Sequence, residues 1–146
     1  MTATNNMENE LLLLYFNNTD HAGIGDASGL QNSATAGSLY ISLHTASPGE
    51  GGTQATNEAA YGSYARVAVA RSGAGWTVSG DTVSNAAAIT FPTAASGTET
   101  ETHFGIGVDA AGAGDLLFFG ALTSNINVTA SVTPSFATGE LDVTVA

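Results

Sequence analysis

Up to position 37 the only sustained apolar run is Leu11 to Phe16, whereas from Ser38 onward apolar and polar residues alternate. The two patterns predict different elements. Around the leucine run the spacing predicts a helix from about Glu8 to Asn17, with Asn5 and Glu8 set three apart as in a capping box and leucine supplying good helix propensity. Residues 1–7, small and polar, form a loose arm. Toward its C-terminal end the helix is apolar nearly all round, which implies burial on more than one side, either under the chain's own sheet or in a subunit contact. Asp20 to Gly37, rich in Gly, Ala, Ser and Asn, reads as an extended loop.

The period-two segments that follow mark half-buried strands. Leu39, Ile41 and Leu43 alternate with Tyr40, Ser42 and His44; Val67 and Val69 alternate with Arg66, Ala68 and Ala70. Further segments pair Trp76 with Val78, Ala87 with Ile89 and Phe91, Phe104 with Ile106 and Val108, Ile126 with Val128, Ala130 and Val132, and Leu141 with Val143 and Val145. Leu116 to Leu122 is apolar on both faces and suits a central strand. About eight short strands with Gly-rich corners and one leading helix predict a mainly β fold, an antiparallel β-sandwich with a jelly roll as first choice. The division expected is residues 1–19 as arm and helix, and 20–146 as the sandwich. Thr45 to Ser63, with Pro48, Gly49, Glu50 and Glu58, is longer than a plain connection needs and reads as an exposed functional or contact loop.

Charge narrows the possible functions. Two arginines, Arg66 and Arg71, face 13 acids in 146 residues, a formal charge of −11, and there is no lysine. Two cations on one short segment are too few to displace counterions from nucleic acid or to hold an anionic membrane surface, and a P-loop needs a lysine. With no cysteine there is no disulfide framework, thiol nucleophile or zinc knuckle. The longest apolar run is too short to span a bilayer, and acid in MTATNNMENE stands where a signal peptide carries base, so the expectation is a protein made in the cytoplasm. Most acids fall in turns, termini and outward strand positions, an outer coat that repels DNA.

The candidate chemistry is thin. In TETETH, strand spacing places Glu99, Glu101 and His103 on one face, a set that can ligate a divalent metal or share a proton; a solvated outward face is the plainer reading. Asp109 and Asp115 bracket a Gly-Ala stretch that reads as a hairpin turn before it reads as a calcium loop. Gly105-Ile106-Gly107-Val108-Asp109-Ala110 matches a dinucleotide fingerprint in form, but another apolar strand follows it where a helix is required. No catalytic residue, metal site or cofactor is expected. Arg66 and Arg71, five apart, point to opposite faces of a continuous strand, each held by a carboxylate, with Tyr61 and Tyr64 adding aromatic surface of the kind found at subunit contacts.

From Ser38 to Pro92 the chain resembles a family of short virion proteins of tailed bacteriophages and prophages, labelled tail-fibre-like or placed among head-decoration (cement) proteins. The resemblance rests on Leu43-His44-Thr45-Ala46, Pro48-Gly49-Glu50, Asn57-Glu58, Tyr64-Ala65-Arg66-Val67, Trp76 and Phe91-Pro92. It extends to ELLLLYFNNT and Ile24-Gly25-Asp26-Ala27 upstream, and to Thr102-His103-Phe104-Gly105-Ile106 downstream. It implies a non-enzymatic β-sandwich part of the particle. No coiled-coil or triple β-helix shaft accompanies it, which favours a capsid decoration protein on the outer surface of the shell, a homotrimer bound to the major capsid protein. The expected contacts are the helix (Leu11, Leu12, Leu14, Tyr15, Phe16), the long loop (Pro48, Glu50, Asn57, Glu58) and Tyr61, Tyr64 and Arg66. The alternative is a tail-associated fibre-like or adhesion module that binds a host glycan.

Overall fold

A computed structural model of the chain describes residues 2–25 and 29–145. Asp26 and Ala27 of the Ile24–Ala27 motif therefore lie outside the described residues. One helix, α1 (Asn5–Asn17), is followed by β1 (Ser38–His44), β2 (Val67–Ala70), β3 (Trp76–Ser79), β4 (Thr82–Asn85), β5 (Ile89–Thr90), β6 (Thr98–Gly107), β7 (Leu116–Thr129), β8 (Ser135–Phe136) and β9 (Asp142–Thr144). The strands form a four-stranded sheet in the order β2-β1-β6-β7, a three-stranded sheet β3-β4-β9 and the pair β5-β8. The pairs β1–β6, β6–β7, β3–β4 and β4–β9 are antiparallel. The fold is thus mainly β with antiparallel sheets and one helix, as expected. A jelly roll distributes eight strands over two four-stranded sheets; here the sheets have four, three and two strands.

The chain divides into two compact units, 1–38 with 69–88 and 136–146, and 39–68 with 89–135. In the first, α1 begins earlier than the leucine run suggests. Thr4, with extended backbone, caps the helix by accepting from the Met7 amide, so Asn5 is already helical and the expected Asn5–Glu8 capping box does not form. Asn18 closes the helix in the left-handed conformation (φ 53°), its amide donating to the Leu13 carbonyl. Glu8, Leu12 and Phe16 form the buried stripe, one residue per turn, and Phe16 meets Trp76 edge-on at 4.8 Å between ring centres. Val83 and Leu141 are buried in the same unit.

Two polar side chains hold this unit together. The buried Asn85 donates to the Ala87 and Ala137 carbonyls (2.7 and 2.9 Å) and accepts from the Leu141 amide at 3.0 Å, so its amide is largely satisfied away from water. The strand that carries it, β4, has too few apolar residues to stand out in the sequence. Arg71 corrects a second expectation. Its partners are oxygens of neutral groups: the Leu14 and Tyr15 carbonyls (2.7 and 2.6 Å), the Ala36 carbonyl (3.1 Å) and, at 3.4 Å, the Ser33 hydroxyl. The last turn of α1 has no basic residue of its own. A guanidinium from elsewhere in the chain supplies the positive charge that the carbonyl end of a helix favours, and satisfies two of its orphan acceptors.

In the second unit β6 is an inner strand and β7 an edge strand. This reverses the expectation that Leu116 to Leu122 is central. Ile126 to Val132 is not the separate strand expected: its first part belongs to the same 14-residue β7, which ends at Thr129, before Ala130 and Val132. Leu116, Leu117 and Phe118 are half-buried and Phe119 is exposed, so the two apolar faces of the run reflect partial cover on each side. The inner position belongs to TETETHFGIG, whose acids suggest an outward face.

If Arg71 holds the end of α1 as described, Arg71→Met will lower unfolding free energy by about 1.5–3 kcal/mol in urea titrations, the scale of a lost hydrogen bond to a charged donor. Arg71→Lys will recover only part of the loss, since one ammonium cannot reach acceptors spread over two chain segments.

Candidate functional site

Thr45 to Ser63 contains no strand, but it is not the exposed loop its composition suggests. Its ends run back along β1: the Thr45 amide donates to the Asn57 carbonyl (2.9 Å) and the Ala59 amide to the Leu43 carbonyl (2.8 Å). Asn57, in the left-handed region at φ 55°, closes the return by donating from its side chain to the Ser47 carbonyl at 3.0 Å. Pro48, Gln54, Ala59 and Tyr61 are buried. The many glycines and polar residues serve the turns, while spaced larger side chains reach inward.

Arg66 fixes this segment. Its Nε and a terminal nitrogen grip Glu58 as a fork, at 2.6 Å to Oε1 and 2.7 Å to Oε2. The guanidinium also donates to the Asp109 carbonyl at 2.9 Å and the Gly112 carbonyl at 2.6 Å, both in the turn between β6 and β7. The side chain is 2% exposed and that of Glu58 17%. Tyr64 completes the group: its hydroxyl donates to Glu58 Oε1 at 3.0 Å and accepts from the Leu43 amide at 3.1 Å. Burial pushes the Tyr64 phenol far above its ordinary pKa, with the Glu58 charge adding to the effect, and the hydrogen bonds to Glu58 raise that of Arg66. Around them Tyr61 meets Tyr64 edge-on at 5.2 Å, and Tyr64 stacks on Phe91 at 6.3 Å.

The Gly105-x-Gly107 pair has a steric origin. Opposite these residues on β1 stand Ser42 and Tyr40. A Cβ at Gly105 would lie 2.6 Å from both His44 Nε2 and Ser42 Oγ, and one at Gly107 would fall within the Gln54 side chain. The bare backbone therefore makes room for buried polar groups, and no phosphate cradle is involved. Gln54, fully buried, accepts from the Asp109 amide at 2.9 Å, while its own backbone amide donates to the Gly114 carbonyl at 3.0 Å. Asp109 and Asp115 belong to the hairpin turn, where the Val108 amide donates to the Asp115 carbonyl (3.2 Å). His44, also fully buried, sits between the Ser42 hydroxyl (2.8 Å) and the Thr56 carbonyl (2.9 Å). Burial lowers its pKa, so the ring is neutral, with Nδ1–H assigned to the carbonyl.

Glu99 and Glu101 do not form the solvated face taken as the plainer reading. Glu99 Oε1 accepts from the Ala60 and Tyr61 amides (3.0 and 2.8 Å), and Glu101 is wholly buried. A register shift between Glu101 and His103 interrupts the alternation that would align all three residues, and His103 instead bonds the neighbouring Thr102 hydroxyl at 2.8 Å. Among the described residues no group of three or more metal-ligating side chains is gathered.

Of the contact residues expected from the sequence, Leu12, Phe16, Pro48, Tyr61 and Arg66 are buried, and Leu11, Leu14, Glu58 and Tyr64 are half-buried. Tyr15, Glu50 and Asn57 are exposed. On α1 the buried stripe is flanked by a second apolar row, Met7, Leu11 and Tyr15, spaced four apart; Met7 is 39% and Tyr15 42% exposed. The buried roles of Gln54 and His44 escape sequence reading because the Asp109 amide and the Thr56 carbonyl that they bond lie 55 and 12 positions away. Gly105 and Gly107, against which these side chains pack, are the one available signal.

The family model described as "Podophage GP4 fiber I protein gp80" matches residues 2–144. No curated protein matches the chain.

The Arg66 fork yields a direct test. Arg66→Met removes the fork and leaves Glu58 without its partner, and will lower unfolding free energy by about 3–5 kcal/mol, the range for breaking a buried pair. Glu58→Gln will fall in the same range. The Arg66→Met, Glu58→Gln double variant will lose less than the sum of the two single losses, because no buried charge is left without its partner.

Proposed function

The chain belongs to the podophage GP4 fiber I gp80 family of phage virion structural proteins, and from that premise we propose that it is a non-enzymatic, fibre-like part of a short-tailed phage particle. The family match across 2–144 carries this reading. It favours the fibre-like role over decoration of the shell, where the major capsid protein would be the partner.

The chemistry of the surface supports an attachment that does not depend on cationic side chains. Both arginines are engaged inside their own units, Arg66 on Glu58 and two carbonyls, Arg71 on three carbonyls and a hydroxyl. Among the described residues, what remains outside is neutral polar, anionic or apolar. The Met7–Leu11–Tyr15 row is the apolar part with regular spacing, and it lies on an element whose other stripe is anchored in a core, so it can present a rigid ridge to a neighbouring virion component.

Labelling the protein in intact particles, by antibody or in a density map, separates the two roles. Density confined to tail appendages is the expected result, and label spread over the shell would replace the fibre role with decoration. Met7→Glu combined with Tyr15→Glu will reduce incorporation into particles at least about tenfold while leaving thermal unfolding within a few degrees of wild type, since both residues lie on the outer face. Attachment through that ridge will persist in about 1 M salt, where exposed charge pairs are screened.

A further inference from the structure

We propose that Glu99 and Glu101 share a single proton and act as an alkaline-sensitive latch on the segment that carries Ala60 and Tyr61. Both acids stand on β6, two residues apart and on one face. Glu101 is 0% exposed, and among the described residues no N–H or O–H group donates to either of its carboxyl oxygens. A carboxylate in that position would be a buried charge with no partner. Protonated, it becomes a donor, with the Glu99 carboxyl, two residues along the same face, as the acceptor it would take. Glu99 is meanwhile fixed as an acceptor, because Oε1 takes both the Ala60 and the Tyr61 amides. One proton thus satisfies the buried acid while Glu99 Oε1 keeps the two amides of the segment.

The surroundings reinforce the arrangement. On β7, Ile126 stands opposite Glu101, Asn127 opposite Thr100 and Val128 opposite Glu99, so that strand brings no charge. From the long segment the Tyr61 phenol faces the pair; its hydroxyl is committed to the Pro92 carbonyl at 3.1 Å. Burial and then the two carboxyls push its pKa up to about 12, so it stays neutral across the relevant range. Further along β6, His103 lies beyond the register shift and bonds Thr102. Burial, followed by the Glu99 hydrogen bond and charge, raises the Glu101 pKa from 4.5 to about 8.

The sign of the pH dependence follows. The folded chain holds a proton that the unfolded chain releases near pH 4.5, so stability falls as pH rises from about 4.5 to about 8 and levels off above that. Above about pH 8 the folded pair itself loses the proton, two adjacent carboxylates repel, and the grip on Ala60 and Tyr61 loosens.

The test compares the full chain with Glu101→Gln, an uncharged variant of the same shape whose amide can still donate to Glu99. In the wild type the unfolding temperature will fall by several degrees from pH 5 to pH 9, whereas in Glu101→Gln the slope will be nearly absent and the midpoint at pH 9 higher. Between pH 6 and pH 9, amide exchange protection at Ala60 and Tyr61, corrected for intrinsic rates, will drop about tenfold in the wild type and hold in the variant. Equal slopes in the two proteins would overturn the proposal, as would unchanged protection in the wild type. Carbon-detected titration of the Glu101 carboxyl in the wild type decides the case even if the variant does not fold: a midpoint near pH 8 upholds the shared proton, and one below pH 5 refutes it.

Discussion

The second unit depends on one buried ion pair. Arg66 grips Glu58 with two nitrogens and the hairpin turn with the rest of its donors, so one side chain joins the start of β2, the long segment and the turn after β6. A buried guanidinium is tolerable only when its donors are met, and here a carboxylate and two carbonyls meet them. Once Glu58 is placed, Tyr64 has a charged acceptor, the Leu43 amide has the Tyr64 hydroxyl, and Tyr61 and Phe91 have a fixed ring against which to pack. A segment rich in glycine and threonine thereby gains an order that its own propensities do not supply.

Arg71 plays the corresponding part in the first unit, with the end of a helix in place of a carboxylate. A chain with two cations and no lysine uses both as planar, multidentate donors to backbone oxygens. This explains the choice of arginine over lysine at each site, since a point charge cannot meet several separated acceptors at once. It also leaves the exterior with acids, neutral polar groups and apolar side chains such as Met7 and Tyr15.

On the four-stranded sheet the usual relation between strand polarity and position is reversed. TETETH lies on an inner strand with Glu99 held by two backbone amides and Glu101 buried, while the leucine- and phenylalanine-rich β7 lies at the edge. The glycines of β6 belong to the same design. By omitting side chains at Gly105 and Gly107, the strand admits His44, Ser42 and Gln54, and these polar groups are satisfied there by backbone carbonyls, amides and one another. Polar satisfaction, more than apolar area, positions this region.

Sequence alone determined what depends on neighbouring residues: the helix around Leu11 to Phe16, the alternating strands from Ser38, the turn at Ala111 to Gly114, the mainly β class and the phage-virion resemblance. It also located the pieces of the candidate site, Glu58, Tyr61, Tyr64, Arg66 and the TETETH acids, though with most of them facing outward. Tertiary structure decided which of these face inward, because their partners are 6 to 46 positions away in the chain. It decided that β6 and not β7 is inner, that Arg71 binds helix carbonyls and not an acid, and that Glu101 is buried. Local patterns record whether a residue is polar; whether that polarity is met by water or by a distant backbone group is settled only when the chain has closed on itself.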